Sequence, residues 1–415
     1  MIELMRELFP LARSLTGDGV RQTLAVLGRD LSLEIVETPS GTPVFDWTVP
    51  REWTIRAAWI EGPDGKRVVD FADSSLHVLG YSSPVDATVT LEELRQHVFT
   101  HPDDPDLVPY RTSYWNEQWG FCMSRRQLDS LVAREYRVLV DSTLKDGSLT
   151  SGEVRVQGSS EDEFLLSTYV CHPSLANDNL SGVAVLWALV KVLSTQNLTY
   201  TYRLLWSPGT LGPLTWLARN QATLDRVHHG LAISCVGDPG PLRYKRSRRG
   251  NRLVDRAAAV VLRGIPDSVV KDWEPGGGDE RQFCSPGFDL PVGAFSRTPH
   301  GLFPEYHSSA DNLDLISPSA LAGSMRTALE IIDLIETNAT YRSLSPFGEP
   351  QLGKRGLYQS VPDGTNPETA LLWVLSLADG DHDLLAVAER SGLPFSAIRE
   401  AATTLERHEL LERAS

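Results

Sequence analysis

Residues 168–182 read Thr-Tyr-Val-Cys-His-Pro-Ser-Leu-Ala-Asn-Asp-Asn-Leu-Ser-Gly. An apolar run from Phe164 to Val170 ends in His172, a short turn carries Asn177, Asp178 and Asn179, and Ser181-Gly182 opens a second apolar run to Leu193. Imidazole nitrogen and carboxylate oxygen are usual zinc ligands, and in open α/β sheets ligands collect beyond the carboxyl ends of strands. A His closing a strand and an Asp just before a helix are therefore half of a candidate metal site. The same pair also suits a plain capping role, so the rest of the chain has to decide.

Two further strand ends carry ligand-type groups. The apolar run Gly230 to Val236 leads into Gly237-Asp238-Pro239-Gly240, and Glu305-Tyr306-His307-Ser308-Ser309-Ala310-Asp311 precedes another apolar segment. Asp before Pro-Gly is also a common turn. What favours chemistry is the combination: His172, Asp178, Asp238 and His307 all fall at or after strand ends of one α/β region. Metal-assisted hydrolysis needs a base as well. Glu305 stands two residues before His307, on the same face if the segment is extended. Glu280 follows the glycine-rich stretch Gly276-Gly277-Gly278-Asp279, whose backbone and Asp279 are placed to approach a ligand closely. In Arg243-Tyr244-Lys245-Arg246-Ser247-Arg248-Arg249, five of seven side chains are basic. Either this is a solvated loop, or Arg246, Arg248 and Tyr244 clamp a carboxylate or phosphate of the substrate.

These groups need elements to hold them. From Tyr136 onward, strand-like runs (Tyr136–Val140, 151–156, 163–170, 200–206, 230–236, 291–295) alternate with helical ones (183–193, 211–220, 252–263, 318–337), the pattern of an α/β sheet covered on both faces. Residues 1–30 read as helical. Residues 50–129 are rich in Pro, Gly and aromatics and read as a small β-rich module inserted into a core made of 1–49 and 130–345. Its aromatic run, Tyr110 to Phe121, reads as a satellite core or a pocket wall. A Pro- and Gly-containing linker, Tyr341 to Asp363, leads to helices at Asn366–Leu377, Asp383–Ser391 and Pro394–Arg407, so that 350–415 has the spacing of a winged helix-turn-helix. From Gln351 to Ser415 ten acidic residues oppose six basic ones. That is the wrong sign for neutralising phosphates, so this unit is expected to meet protein, or a second copy of the chain, rather than nucleic acid.

The 415 residues include 41% hydrophobic and 22% charged side chains, enough apolar material for a large core. The net charge of −15 disfavours anionic membranes and nucleic acid. The N-terminus starts as an acidic amphipathic helix rather than a signal segment, and no apolar run approaches the roughly 20 residues of a membrane span; a cytoplasmic protein is expected. Cys122, Cys171, Cys235 and Cys284 are scattered, neither a disulfide framework nor a CxxC pattern. Strand alternation directs Cys171 away from whatever His172 touches.

With these residues in view, the chain resembles the zinc-dependent aminopeptidases of phosphorylase-like α/β fold and their aminopeptidase-like bacterial relatives. The resemblance rests on His172 after a strand, Asp178 in Asp-Asn-Leu-Ser-Gly, Asp238, and His307 in Tyr-His-Ser-Ser-Ala-Asp. It implies a mixed sheet between helices over 130–340, one zinc bound by His172, Asp178 and Asp238, and a second shared between Asp178 and His307 if another carboxylate enters. The three-part layout further resembles bacterial aminopeptidase-like proteins linked with polysaccharide or specialised-metabolite biosynthesis. One departure limits it: the family's Glu-Glu pair should follow the strand 200–206, where Gly209 and Thr210 stand. The expected function is hydrolysis of a small peptide or amide. A single-zinc enzyme of altered chemistry (deacylation, amide formation or cyclisation) and a non-catalytic binding protein are the alternatives.

Overall fold

The chain is described by a computed structural model covering residues 1–357 and 367–414. The last part of the expected linker and the expected helix start at Asn366 fall outside these residues. Two compact units divide the chain: Met1–Arg249 with Lys271–Met325, and Gly250–Val270 with Arg326–Ser415.

The first unit is organised by a mixed sheet whose strands run in the order Glu34–Pro39, Ser148–Val156, Thr201–Ser207, Glu163–Tyr169, Val227–Ile233, Val292–Ser296, Arg243–Lys245. Glu163–Tyr169 is buried along its whole length, as a continuous apolar run in a sheet covered on both faces should be. It pairs in parallel with Thr201–Ser207 on one side and Val227–Ile233 on the other. The next strand in the chain thus lies on one flank and the following one on the opposite flank. This reversal opens a crevice beyond the carboxyl end of Glu163–Tyr169, where α/β proteins place ligands. His172 and Asp178 follow that strand end directly.

A second, antiparallel sheet has the order Arg67–Asp70, Glu52–Glu61, Glu135–Lys145, Val85–Thr90. Glu135–Lys145 therefore belongs with the inserted strands, whereas its apolar run read as the first strand of the core. Alternation alone does not say which sheet a strand joins. Its buried residues, including Tyr136, Val138 and Val140, pack with Trp53, Ile60, Val69 and Phe121 in one apolar cluster. The N-terminal segment holds two helices, as the break at Thr16-Gly17-Asp18-Gly19 suggests, but the first is shorter than the helical period through Leu15: helices occupy Ile2–Leu8 and Asp18–Leu27, and the stretch between them is irregular.

A buried charge network ties three neighbouring strands of the large sheet. Arg203 contacts Glu153 through Nε and lies 3.1 Å from Glu163, while Arg219 and the Trp216 indole reach the other Glu153 oxygen at 2.8 and 3.2 Å.

In the second unit, Thr340–Ser343 pairs with Asp379–Asp383 and Leu411–Arg413 in a three-stranded antiparallel sheet. Helices Pro367–Leu377, Leu384–Ser391 and Phe395–Arg407 complete a winged helix-turn-helix. The turn between the last two helices passes through Gly392 at φ 73°. Phe395, Ile398, Ala402 and Leu405 turn inward, and Arg399 pairs with Asp333 at 2.7 Å. Among the described residues, no helix is long and apolar enough to cross a membrane.

Arg203→Met should lower unfolding free energy by about 3–5 kcal/mol, because it leaves the buried Glu163 carboxylate without its cation and Glu153 with Arg219 alone. Urea denaturation followed by tryptophan fluorescence measures the loss.

Candidate metal centre

The turn after Tyr169 is held by its polar side chains. Asn179 Oδ1, Ser181 Oγ and Asn177 Oδ1 accept the backbone N–H groups of Cys235, Val236 and Gly237 at 3.1, 3.0 and 3.0 Å. Asn179 also donates to Thr168 Oγ1 and to the Tyr169 carbonyl. Three residues of the Asn-Asp-Asn-Leu-Ser motif thus satisfy three consecutive donors of the neighbouring loop, where no strand partner exists. Gly182 must lack a side chain, since a Cβ there would lie 2.6 Å from both Asn179 Oδ1 and Thr168 Oγ1. Asp311 holds the other side of the turn, accepting N–H groups of Ala176, Asn177 and Asp178 at 3.1, 2.6 and 2.9 Å. Burial pushes the Asp311 carboxyl up to about 7.

This frame presents Asp178, which is 1% exposed. Its Oδ1 accepts a 2.5 Å hydrogen bond from the Tyr169 hydroxyl. Its Oδ2 lies 3.0 Å from His307 Nε2 and 3.9 Å from His172 Nε2. One ligand atom from each of His172, Asp178 and His307 falls within 4.8 Å of the others. Both Asp178 Oδ2 and His307 Nε2 are buried without a hydrogen-bond partner among the described residues. Burial would raise the Asp178 carboxyl, but the His172 and His307 imidazoles and the Tyr169 hydroxyl outweigh it and hold it well below the usual carboxylate range. Burial moves His172 down to about 4, so it is neutral at pH 7. A carboxylate and two imidazoles with converging atoms are the donor set of a zinc ion that keeps an open position, and these residues fit one. Because Tyr169 occupies Oδ1, a single Asp178 oxygen faces both imidazoles.

Several side chains that sequence reasoning passed over orient this group. Arg13, fully buried, donates from Nε to the His172 carbonyl at 2.8 Å and from Nη1 to Leu8 O, and burial moves it down to about 9. Tyr110 packs edge-on against His172 and His307, with centroids 5.3 and 5.0 Å apart, and its N–H donates to the His307 carbonyl. Tyr306 stacks on the His307 ring at 3.8 Å. The aromatic run at 110–121 was a signal for Tyr110; nothing local marked Arg13.

Other expected site residues lie elsewhere. The Asp238 carboxylate is not part of the group; it accepts bonds from Asn177 Nδ2, Gly240 N, Thr298 N and Thr298 Oγ1 and closes its own loop. Glu305 is not extended with His307: Ser308 N and Oγ both return to its carbonyl, and His307 has φ 54°. This turn removes the shared face on which its role as base depended. Glu280 forms a buried ion pair with Lys245 at 2.7 Å. Arg248 is committed to Asp289 at 2.7 Å, and Arg246 faces Asp272 at 3.5 Å. Tyr244 is buried, with its ring crossing Gly293. Cys171 does not point away from His172: regular strand ends at Tyr169, and Cys171 Sγ lies 3.6 Å from His172 Nδ1. Burial pushes that thiol up to about 12, which leaves it protonated.

The positions of the absent glutamates are informative. Gly209 N–H donates to Cys171 Sγ at 3.2 Å, and Thr210 N–H donates to Asp279 Oδ1 at 2.7 Å. A Cβ on Gly209 would stand 3.8 Å from that same Asp279 oxygen. Asp279 Oδ2 is buried without a hydrogen-bond partner among the described residues, and burial raises the carboxyl to about 7.

Residues 2–338 match the domain of unknown function DUF4910, and residues 339–413 match a winged helix-turn-helix family. The chain belongs to the DUF4910 family. It is 47% identical over 413 residues, covering 99% of this chain and 95% of the other, to a Clostridium acetobutylicum protein provisionally named as a polysaccharide biosynthesis protein with an aminopeptidase-like domain. A crystal structure from the same organism, provisionally named a peptidase, superposes with TM-score 0.95 at 46% identity, with the same coverage. The Bacillus subtilis zinc aminopeptidase shares the fold at TM-score 0.56 and 12% identity, covering 79% of this chain and 93% of its own.

Asp311→Ala leaves the buried N–H groups of Asn177 and Asp178 unpaired, while the Ala176 N–H keeps the backbone carbonyl at position 311. The substitution should destabilise the chain by about 3 kcal/mol, read as a lower midpoint in chemical denaturation.

Proposed function

We propose that the protein is a single-metal hydrolase of aminopeptidase-like fold that acts on a small amide. The observation that carries this reading is the buried Asp178 Oδ2, without a hydrogen bond among the described residues, facing the His172 and His307 imidazoles. His172, Asp178 and His307 would hold a zinc ion, which supplies Lewis acidity to a carbonyl oxygen when bound. With Oδ1 engaged by Tyr169 and Asp238 engaged by its own loop, the donors favour one ion over two.

Asp279 is the proton acceptor in this reading. It replaces in space what Gly209 and Thr210 lack in sequence, and a carboxyl titrating at about 7 suits a general base at neutral pH. Thr210 N–H orients one oxygen and leaves the other free to take a proton. The relative's name, which places it in polysaccharide biosynthesis, supports an amide borne by a sugar as well as a peptide bond.

Elemental analysis of chain purified without chelator should find close to one zinc per molecule, and less than a tenth of that in His172→Ala and His307→Ala. Wild type without metal, or variants that retain it, would contradict the reading. A panel of aminoacyl anilides and N-acetylated sugars then reports the amide class.

Asp279 makes opposite predictions for activity and stability. Activity should rise with pH through about 7 as its carboxyl ionises, and Asp279→Asn should remove that limb and cost about 100-fold or more in kcat/KM. Its folded pKa lies above the unfolded value, so its contribution to stability is fully present below about pH 4 and is lost as pH rises through 7. At pH 8 Asp279→Asn should therefore be the more stable chain, by on the order of 3 kcal/mol. Equal or lower stability of the Asn variant, with unchanged pH dependence of activity, removes Asp279 from the mechanism.

A further inference from the structure

A cavity of about 330 Å³ is lined by Arg243, Lys245, Glu280 and His300 among others, and none of His172, Asp178 and His307 lines it. His300 links this cavity to the metal group: its ring lies 6.4 Å from that of Tyr306, which stacks on His307. We infer that this cavity is a subsite for an oxyanion of the substrate, a carboxylate or a phosphate, gripped by the Arg243 guanidinium. Calling that ligand the substrate rests on the hydrolase reading; anion binding does not.

The charges in the cavity are unequally used. Lys245 and Glu280, with side chains 12% and 2% exposed, neutralise one another at 2.7 Å, and Lys245 Nζ also donates to the carbonyls of Glu274 and Gly276. Glu274 and Lys271 are exposed. Arg243, two residues before Lys245 on the strand Arg243–Lys245, has no hydrogen bond or ion pair from its side chain among the described residues, and its Nε is buried. A buried guanidinium nitrogen without an acceptor carries its full desolvation penalty, which a bound oxyanion would relieve. The planar guanidinium fork matches the two oxygens of a carboxylate or phosphate. Around it, Ala294, Pro299 and Leu302 supply apolar wall, where a charge-assisted bond is strengthened by exclusion of water. Arg246 and Arg248, the residues of the basic run that looked suited to this task, are turned to Asp272 and Asp289 instead.

The test uses the full chain carrying His172→Ala, so that no complete metal group can hold the anion. Inorganic phosphate and N-acetylglycine are titrated calorimetrically. One of them should bind with one-to-one stoichiometry, and Arg243→Met in the same background should weaken it about tenfold or more. Arg243→Lys keeps the charge but loses the fork; it should also weaken binding, and it serves the comparison if the Met variant does not fold. Stronger binding of phosphate assigns a phosphoryl group, and stronger binding of N-acetylglycine a carboxylate. Affinity unchanged by Arg243→Met and Arg243→Lys, or no binding of either anion to the folded chain, overturns the inference. Because the background lacks His172, either result leaves the metal reading to the elemental analysis of wild type.

Discussion

The structure is built around an ionised carboxylate held where water does not reach it. An isolated carboxylate at the Asp178 position would carry a desolvation penalty of several kcal/mol. Two imidazoles and a tyrosine hydroxyl compensate part of that by converging on its two oxygens. One oxygen is satisfied by Tyr169; the other faces His172 and His307 without a hydrogen bond among the described residues. Such a group persists only if the surrounding chain fixes it, and much of the first unit does so. Arg13 anchors the His172 backbone, Asp311 holds the Asp178 turn, and Tyr110 from the inserted module holds His307.

The same constraint explains why so many polar residues of the motif do not themselves act on a ligand. Asn177, Asn179 and Ser181 are spent on the backbone of Cys235, Val236 and Gly237. Two loops at neighbouring strand ends are joined by side chains because the sheet ladder has already ended there. The inserted module contributes in kind: Val108 exchanges bonds with Ser309, and the Tyr110 N–H meets the His307 carbonyl. A module that reads in sequence as an appendage is part of the wall of the site.

The α/β architecture was legible because its signals are periodic and local. Helices 211–220 and 318–337 have the expected limits, and the core strands differ from theirs by a few residues. His172, Asp178 and His307 were legible from residue type at strand ends. Asp238 has the same signature but folds back on Thr298, which a local pattern does not reveal. Glu305 failed because an i, i+2 argument assumes extended backbone and the segment turns. Asp279 was visible only as a residue of a glycine-rich loop. Its meeting with Gly209 and Thr210 joins positions about 70 residues apart and follows from the tertiary fold alone.

The proposed chemistry requires one metal held by two imidazole nitrogens and one Asp178 oxygen, with the buried thiols of Cys171 and Cys235 excluded. Zinc-edge X-ray absorption of the purified chain addresses this directly. The account predicts nitrogen and oxygen neighbours at about 2.0–2.1 Å, imidazole scattering from two rings, and neither a sulfur neighbour near 2.3 Å nor a second metal within about 4 Å. A sulfur ligand, a metal–metal vector or a spectrum without imidazole would contradict it.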